Sequence, residues 1–175
     1  MRTIFALATL FSAAFAQDSA KMPGAPSSCG PSGTSFEVQD DSSHHPVSRP
    51  EAGKALVYVI REDGLGKCAG WGCATTRVGA DGAWVGANRH NSYSSFAVDP
   101  GVRHLCVELQ SRLAIASRFV GLAHFTAQAG TVYYFRARTM TVGGKRAFLD
   151  LEPIDSDQGE FLVASYPASI SRPKK

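Results

Sequence analysis

The chain has 175 residues, 44% of them hydrophobic, and a formal net charge of +3. Removal of a 16-residue leader that contains Arg2 leaves 175 − 16 = 159 residues with a net charge of 3 − 1 = +2. That length is sufficient for one domain with a hydrophobic core. So small a charge gives no argument for nucleic acid or an anionic membrane surface as a partner.

Residues 1–16 have the pattern of a secretory signal peptide. Arg2 supplies the positive n-region, and the apolar run that follows is too short to span a bilayer. The small residues Ala14 and Ala16 predict cleavage between Ala16 and Gln17. Because no cysteine follows the cleavage point directly, we expect a secreted or periplasmic protein rather than a lipoprotein, with no transmembrane segment in the mature chain.

Residues 17–53 are rich in Pro, Ser, Gly and Asp and show no apolar periodicity. This composition predicts an extended arm rather than a domain. The arm contains Cys29, which we expect to pin it midway. It also contains His44-His45, which we interpret as solvated because no other metal ligands accompany the pair.

The folded body is predicted to cover residues 54–166. The run 55–60 is apolar on both faces, which predicts a strand that is covered on each side. Further strands are predicted near residues 75–79, 83–89, 92–98, 102–110, 119–127, 131–140 and 146–153. Together they predict an all-β fold, an antiparallel β-sandwich of about seven to eight strands.

Two turns between these strands have recognisable chemistry. Asp81-Gly82 favours a two-residue hairpin, because both turn positions need a positive φ. In Asp99-Pro100-Gly101, proline fixes φ at the second position and glycine accepts the unusual third position. These turns predict antiparallel neighbours along residues 75–110.

The hairpin over residues 131–153 also has a predicted register. If residues 143–145 form a three-residue loop, Arg138 lies opposite Asp150 and Arg136 lies opposite Glu152. Both pairs then join opposite charges on one face. The alternative is that the four charges are solvated independently.

The C-terminal part predicts a short helix followed by a tail. Asp155-Ser156-Asp157 precedes the run 160–165, which is typical of an N-cap with acidic residues in the first helical turn. Residues 167–175 are expected to form a solvated C-terminal tail.

Four cysteines follow the leader, an even number that favours two disulfides in an exported chain. Cys68 and Cys73 bracket a Gly-rich loop that can fold back tightly, which predicts a Cys68–Cys73 bridge. Cys106 lies on the face of its strand that is predicted to point outward. We therefore expect it to bond Cys29, which a segment crossing the outside of the sheet would carry. Zinc is the alternative, but it requires a second close pair or histidines at ligand spacing.

No sequence motif of a hydrolase elbow, a zinc protease, a phosphate-binding loop or a dinucleotide fold occurs. The sequence therefore predicts no catalytic residues, no metal and no cofactor. One acid–base arrangement remains conceivable, because His104 and Glu108 share a face and His124 lies in a strand that can pair with theirs. Hydrogen-bonded strand histidines are the commoner outcome.

Three aromatic residues offer a different hypothesis. Trp71, Trp84 and Tyr93 could form a platform for a sugar, although aromatic residues in strands usually pack in a core. Trp71 is the best candidate for exposure because it lies in a Gly-rich loop.

Four short segments stand out along the chain, in this order: Gly53–Arg61 (GKALVYVIR), Asp81–Gly86 (DGAWVG), Asp99-Pro100-Gly101 with His104, and Gly130–Arg136 (GTVYYFR). Over residues 53–165 they resemble a bacterial exported family, domain of unknown function 2846. The hairpin also resembles the short PEGA-type β module. The family resemblance implies an envelope protein and brings no active site, and this chain departs from the family's lipoproteins in having no lipidation cysteine.

The sequence thus predicts an exported, non-catalytic binding or structural module, secreted or associated with the cell envelope. The expected partner is a protein or glycan of the envelope, with no nucleic acid involved. The alternatives are a secreted hydrolase with a site near His104, Glu108 and His124, and a carbohydrate-binding module that uses Trp71.

Overall fold

The computed structural model describes residues 29–43, 49–63, 74–110, 119–142 and 146–174. The predicted leader, His44-His45, Trp71 and the Cys68–Cys73 pair lie outside the described residues.

The described residues form ten β-strands and one α-helix. In chain order these are β1 (Phe36–Asp41), β2 (Ala55–Arg61), β3 (Thr76–Ala80), β4 (Ala83–Asn88), β5 (Ser92–Val98), β6 (Gly101–Leu109), β7 (Val120–Ala127), β8 (Val132–Val142), β9 (Arg146–Ile154), α1 (Ser156–Ser165) and β10 (Ala168–Pro173).

The strands form two sheets that pack face to face, so the predicted all-β sandwich with a short C-terminal helix is confirmed at that level. Sheet A has the strand order β1-β10-β5-β2-β8-β9, and sheet B has the order β4-β3-β6-β7. The predicted number of strands, about seven to eight, is too low for the described residues. The sandwich is also not wholly antiparallel, because β2 pairs with β8 and β10 with β5 in parallel. The antiparallel neighbours predicted along residues 75–110 are wrong for β5, because the chain crosses from sheet B to sheet A before β5 and returns to sheet B at β6.

The two additional strands are β1 and β10, which lie in the segments predicted as an arm and a tail. They pair with each other in an antiparallel ladder that runs from Phe36 opposite Pro173 to Asp41 opposite Ala168. α1 returns the chain so that Ala168 lies beside Tyr93 of β5. The pair therefore extends sheet A at one edge.

The main core lies between the two sheets. Its side chains come from alternate positions of the strands, as a pleated sheet with one face against the other sheet requires. They include Val57, Val59, Val78, Leu105, Val107, Leu109, Phe135, Leu149 and Leu151.

A second apolar cluster lies on the outer face of sheet A, beneath α1. Leu56, Tyr58 and Ile60 of β2 contribute to it, so β2 is buried on both faces as predicted. Asp155 caps the helix by accepting a hydrogen bond from the Gln158 backbone N–H at 2.8 Å. No helix in the described part of the chain is long and apolar enough to cross a bilayer.

The register predicted for the β8–β9 hairpin is confirmed. Arg136 lies opposite Glu152, and Arg138 lies opposite Asp150. The ion pairs follow the register only in part, because Arg136 Nη2 is 2.6 Å and Arg138 Nη2 is 2.7 Å from the same oxygen, Oε1 of Glu152. Arg138 therefore makes a diagonal pair, which its long side chain can reach across the strands.

Candidate functional site

A short segment crosses the outer face of sheet B. We call residues 29–34 the strap. The Cys29–Cys106 disulfide joins its first residue to β6, with the two Cα atoms 5.3 Å apart. This is the bond that the outward position of Cys106 predicted.

Hydrogen bonds hold the rest of the strap on the sheet. Trp84 Nε1 donates to the Pro31 carbonyl at 2.9 Å, and Arg77 Nη1 donates to the Thr34 carbonyl at 2.6 Å. Beyond the strap, the amide of Gln110 bonds both the N–H and the carbonyl of Phe36. The strap is thus fixed at both ends by the fold.

The strap forms one wall of a groove of about 670 Å³, a volume within the usual range for small-molecule sites. The floor is the outer face of sheet B, and residues of β7 line the opposite side. Side chains that line this strap groove include Arg77, Trp84, His104, Cys106, Leu122 and His124.

The β6–β7 register arranges the groove in three rows. The rows are His104 opposite His124, Cys106 opposite Leu122, and Glu108 opposite Val120. The first and last rows are four residues apart, which corresponds to about 13 Å along a strand. One end of the groove therefore presents two imidazoles, and its β7 side continues as an apolar surface.

The two imidazoles lie close together. Their ring centroids are 6.5 Å apart. Asp81 fixes the backbone of His104, because its Oδ1 accepts from the His104 N–H at 2.9 Å. The predicted turn that carries Asp81 is present, with φ of 51° at Asp81 and 83° at Gly82.

Glu108 is already paired. The β3–β6 register places it opposite Arg77, and Arg77 Nη2 lies 2.5 Å from Glu108 Oε1. The Arg77 guanidinium also stacks over Trp84, 4.4 Å from the ring centroid. The structure thus brings His104 and His124 together, but it commits the carboxylate of Glu108 to a cation rather than to an imidazole.

The aromatic residues do not assemble as the sugar hypothesis requires. Tyr93 is only 1% exposed and belongs to the cluster beneath α1, whereas Trp84 lies on sheet B. The Trp84 ring is occupied by Arg77, and a Cβ added at Gly30 would come within 2.7 Å of it. Trp71 is outside the described residues.

A second polar cluster lies at the end of β2. The Arg61 side chain is fully buried, and its Nη2 contacts Asp63 Oδ1 at 2.5 Å and Thr139 Oγ1 at 2.7 Å. The other oxygen of Asp63 lies 3.1 Å from His90 Nδ1. Burial lowers the pKa of Arg61, and the adjacent Asp63 carboxylate opposes that shift. This cluster neutralises a buried cation, and we assign it a structural role.

Sequence reasoning missed two residues of the groove. Leu122 is 71% exposed, the largest exposure among the exposed large hydrophobic side chains of the described residues. The sequence could have indicated this exposure, because Leu122 is two residues from the polar His124 and therefore lies on the same face of the strand. Arg77 alternates with the inward-facing Thr76 and Val78, which places it on the outer face. Within the described ranges, no cluster of three or more His, Cys, Asp or Glu side chains could hold a metal ion.

This chain matches no protein-family model, no curated protein and no solved structure.

Proposed function

We propose that this protein is an exported, non-catalytic β-sandwich that binds a ligand in the strap groove. The single observation that carries the proposal is the composition of that groove: the charged side chains on its floor are already paired, while an apolar rim is left open. Leu122 is 71% exposed and Val120 is 37% exposed on that rim. Exposed apolar surface lining a concavity is the usual mark of a binding site.

The charge pairing argues for binding rather than hydrolysis. The hydrolase hypothesis requires the Glu108 carboxylate to act together with the imidazoles of His104 and His124. Glu108 is instead held by Arg77 at 2.5 Å. The carbohydrate-binding alternative depends on Trp71, and the other two aromatic residues offer it no support.

Export and envelope association belong to the same proposal. The 1–16 leader and the Cys29–Cys106 disulfide both suit an oxidising compartment outside the cytoplasm. The resemblance to domain of unknown function 2846, and the shorter one to PEGA-type modules, point to an envelope location as well.

A fluorescence titration with N-phenyl-1-naphthylamine, a neutral apolar dye, tests the proposal. Leu122→Asp should weaken dye binding about tenfold or more, because it replaces the apolar contact with a charge. Phe161→Asp is the matched control, since Phe161 is 69% exposed but lies on α1, against the other sheet. Binding that survives Leu122→Asp, or that is lost in Phe161→Asp instead, would contradict the proposal.

A further inference from the structure

We infer that Arg77 and Trp84 are positioning residues of the strap groove. Together they set where the strap lies on sheet B, whereas the Cys29–Cys106 bond anchors only its first residue. This inference rests on the proposed function, because the strap is one wall of the groove. It also gives the paired charges on the groove floor a role, which is to hold that wall in place.

The Arg77 side chain makes three contacts at once. Nη1 donates to the Thr34 carbonyl at 2.6 Å, and Nη2 lies 2.5 Å from Glu108 Oε1. The central carbon of the guanidinium lies 4.4 Å from the centroid of the Trp84 ring. A planar, rigid guanidinium can serve all three partners together, whereas an ammonium group offers a point charge. Because Glu108 lies opposite Arg77 in the β3–β6 ladder, the sheet itself supplies the carboxylate that orients the guanidinium.

Trp84 supports the strap at a second point. Its Nε1–H donates to the Pro31 carbonyl at 2.9 Å. Gly30 lies so close to the indole ring that an added Cβ would come within 2.7 Å of the ring atoms. At Gly79, an added Cβ would overlap the Cys29 carbonyl oxygen. The strap therefore lies on the sheet through its backbone, at a distance that side chains at these two glycine positions would prevent.

The disulfide cannot fix the whole strap. It holds residue 29, with the two Cα atoms 5.3 Å apart, but Thr34 follows five residues later, and a chain of that length can extend up to about 17 Å. Gly30 and Gly33 lie within this stretch, and glycine is the least restricted residue. The position of the strap beyond Cys29 therefore depends on the bonds to the Pro31 and Thr34 carbonyls.

Solvent exchange of the Trp84 Nε1–H, measured by NMR on the oxidised mature protein, reports the strap directly because this proton is bonded to the Pro31 carbonyl. Arg77→Gln should speed the exchange about tenfold, since the strap loses its bond at Thr34 and the indole ring loses the cation that stacks on it. Arg77→Lys should recover only part of the protection, because lysine cannot bond Thr34 and Glu108 while it stacks on the ring.

Arg103→Gln is the matched control. Arg103 also pairs with a carboxylate, that of Asp81, and with the carbonyls of Asp99 and Pro100, but none of these groups belongs to the strap. Its substitution should leave the exchange rate close to that of the wild type. Gly30→Ala is a second variant that alters no charge, and it should also speed the exchange, because the new Cβ would push the strap away from the indole ring.

Exchange at the wild-type rate in Arg77→Gln or in Gly30→Ala would overturn the inference. Full protection in Arg77→Lys would overturn it as well, because neutralising Glu108 would then be the whole role of the arginine.

Binding of N-phenyl-1-naphthylamine should weaken in the same variants and in the same order as the exchange accelerates. Faster exchange with unchanged dye affinity would show that the strap is not a wall of the binding site, which contradicts the inference but leaves Leu122-dependent binding intact. If the dye does not bind the wild type, the proposed function fails, and the exchange rates still decide what positions the strap.

Discussion

Removal of the Cys29–Cys106 disulfide should be the most destabilising change on the outer face of sheet B. The bond joins residues that are 77 positions apart. In the chain-entropy model, a loop of that size lowers the entropy of the unfolded chain by an amount equivalent to about 4–5 kcal/mol at 25 °C. Cys29→Ala/Cys106→Ala should therefore lower the free energy of unfolding by about that amount, a large share of the stability of an ordinary domain.

Urea denaturation of the oxidised protein measures this effect. The native near-ultraviolet circular dichroism of the variant should stay close to that of the wild type, because Pro31 and Thr34 keep their bonds to Trp84 and Arg77. Cys68→Ala/Cys73→Ala is the control, since the shorter predicted loop corresponds to only about 2 kcal/mol. A loss below about 1 kcal/mol in the Cys29/Cys106 variant would refute the claim that this bond constrains the unfolded chain.

Three further predictions concern sheet A. A hydrogen bond from Arg136 lowers the pKa of Glu152 below its ordinary value of 4.5. The stabilisation from this pair is therefore fully present above pH 4.5 and is lost as the pH falls through the depressed pKa. In an acid titration of the free energy of unfolding, Glu152→Gln should show a smaller fall in stability than the wild type, and an unchanged fall would contradict the ion pair. Gly159→Ala should lower the free energy of unfolding by about 1–3 kcal/mol in thermal denaturation, because the new Cβ would overlap the Tyr134 ring beneath α1. A substitution without effect on stability would mean that α1 does not pack on Tyr134 as described. A double-mutant cycle should give a coupling of a few tenths of a kcal/mol between Arg138 and Glu152 and almost none between Arg138 and Asp150, and the reverse order would refute the diagonal pair.

Local turn chemistry and alternation were enough to predict much of sheets A and B. Asp81 and Gly82 have the positive φ that their residue types favour, and they join the antiparallel neighbours β3 and β4 as predicted. Gly101 has a φ of 114° after Pro100, but the prediction that this turn joins antiparallel neighbours is wrong, because β5 lies in sheet A and β6 in sheet B. In the β8–β9 hairpin, a three-residue gap between strands fixes the register, which places Arg136 opposite Glu152. Each of these features depends on residues that are close in sequence.

β1 and β10 could not be predicted in the same way, because each depends on a partner far along the chain. β10 pairs with β1 and also covers the edge of β4, where the hydroxyls of Ser169 and Ser171 accept from the N–H groups of Arg89 and Ala87. Serines in a polar terminal segment carry no local strand signal. Only the assembled sheets give them a role.

The groove was foreseen in part. The outward position of Cys106 predicted a segment crossing sheet B, and His104 and His124 were expected to approach each other. The ion pair of Glu108 with Arg77 could not be predicted, because it depends on the β3–β6 register. No hairpin turn sets that register, because β4 and β5 lie between β3 and β6 along the chain. It follows from the packing of the assembled sandwich.

The most direct test of the central claim is a map of backbone amide chemical shifts during titration of the ¹⁵N-labelled mature protein with N-phenyl-1-naphthylamine. If the strap groove is the binding site, the largest shifts fall on the strap, on residues 104–108 of β6 and on residues 120–124 of β7. Shifts concentrated on α1 and the outer face of sheet A, or no shifts at saturating dye, would contradict the account.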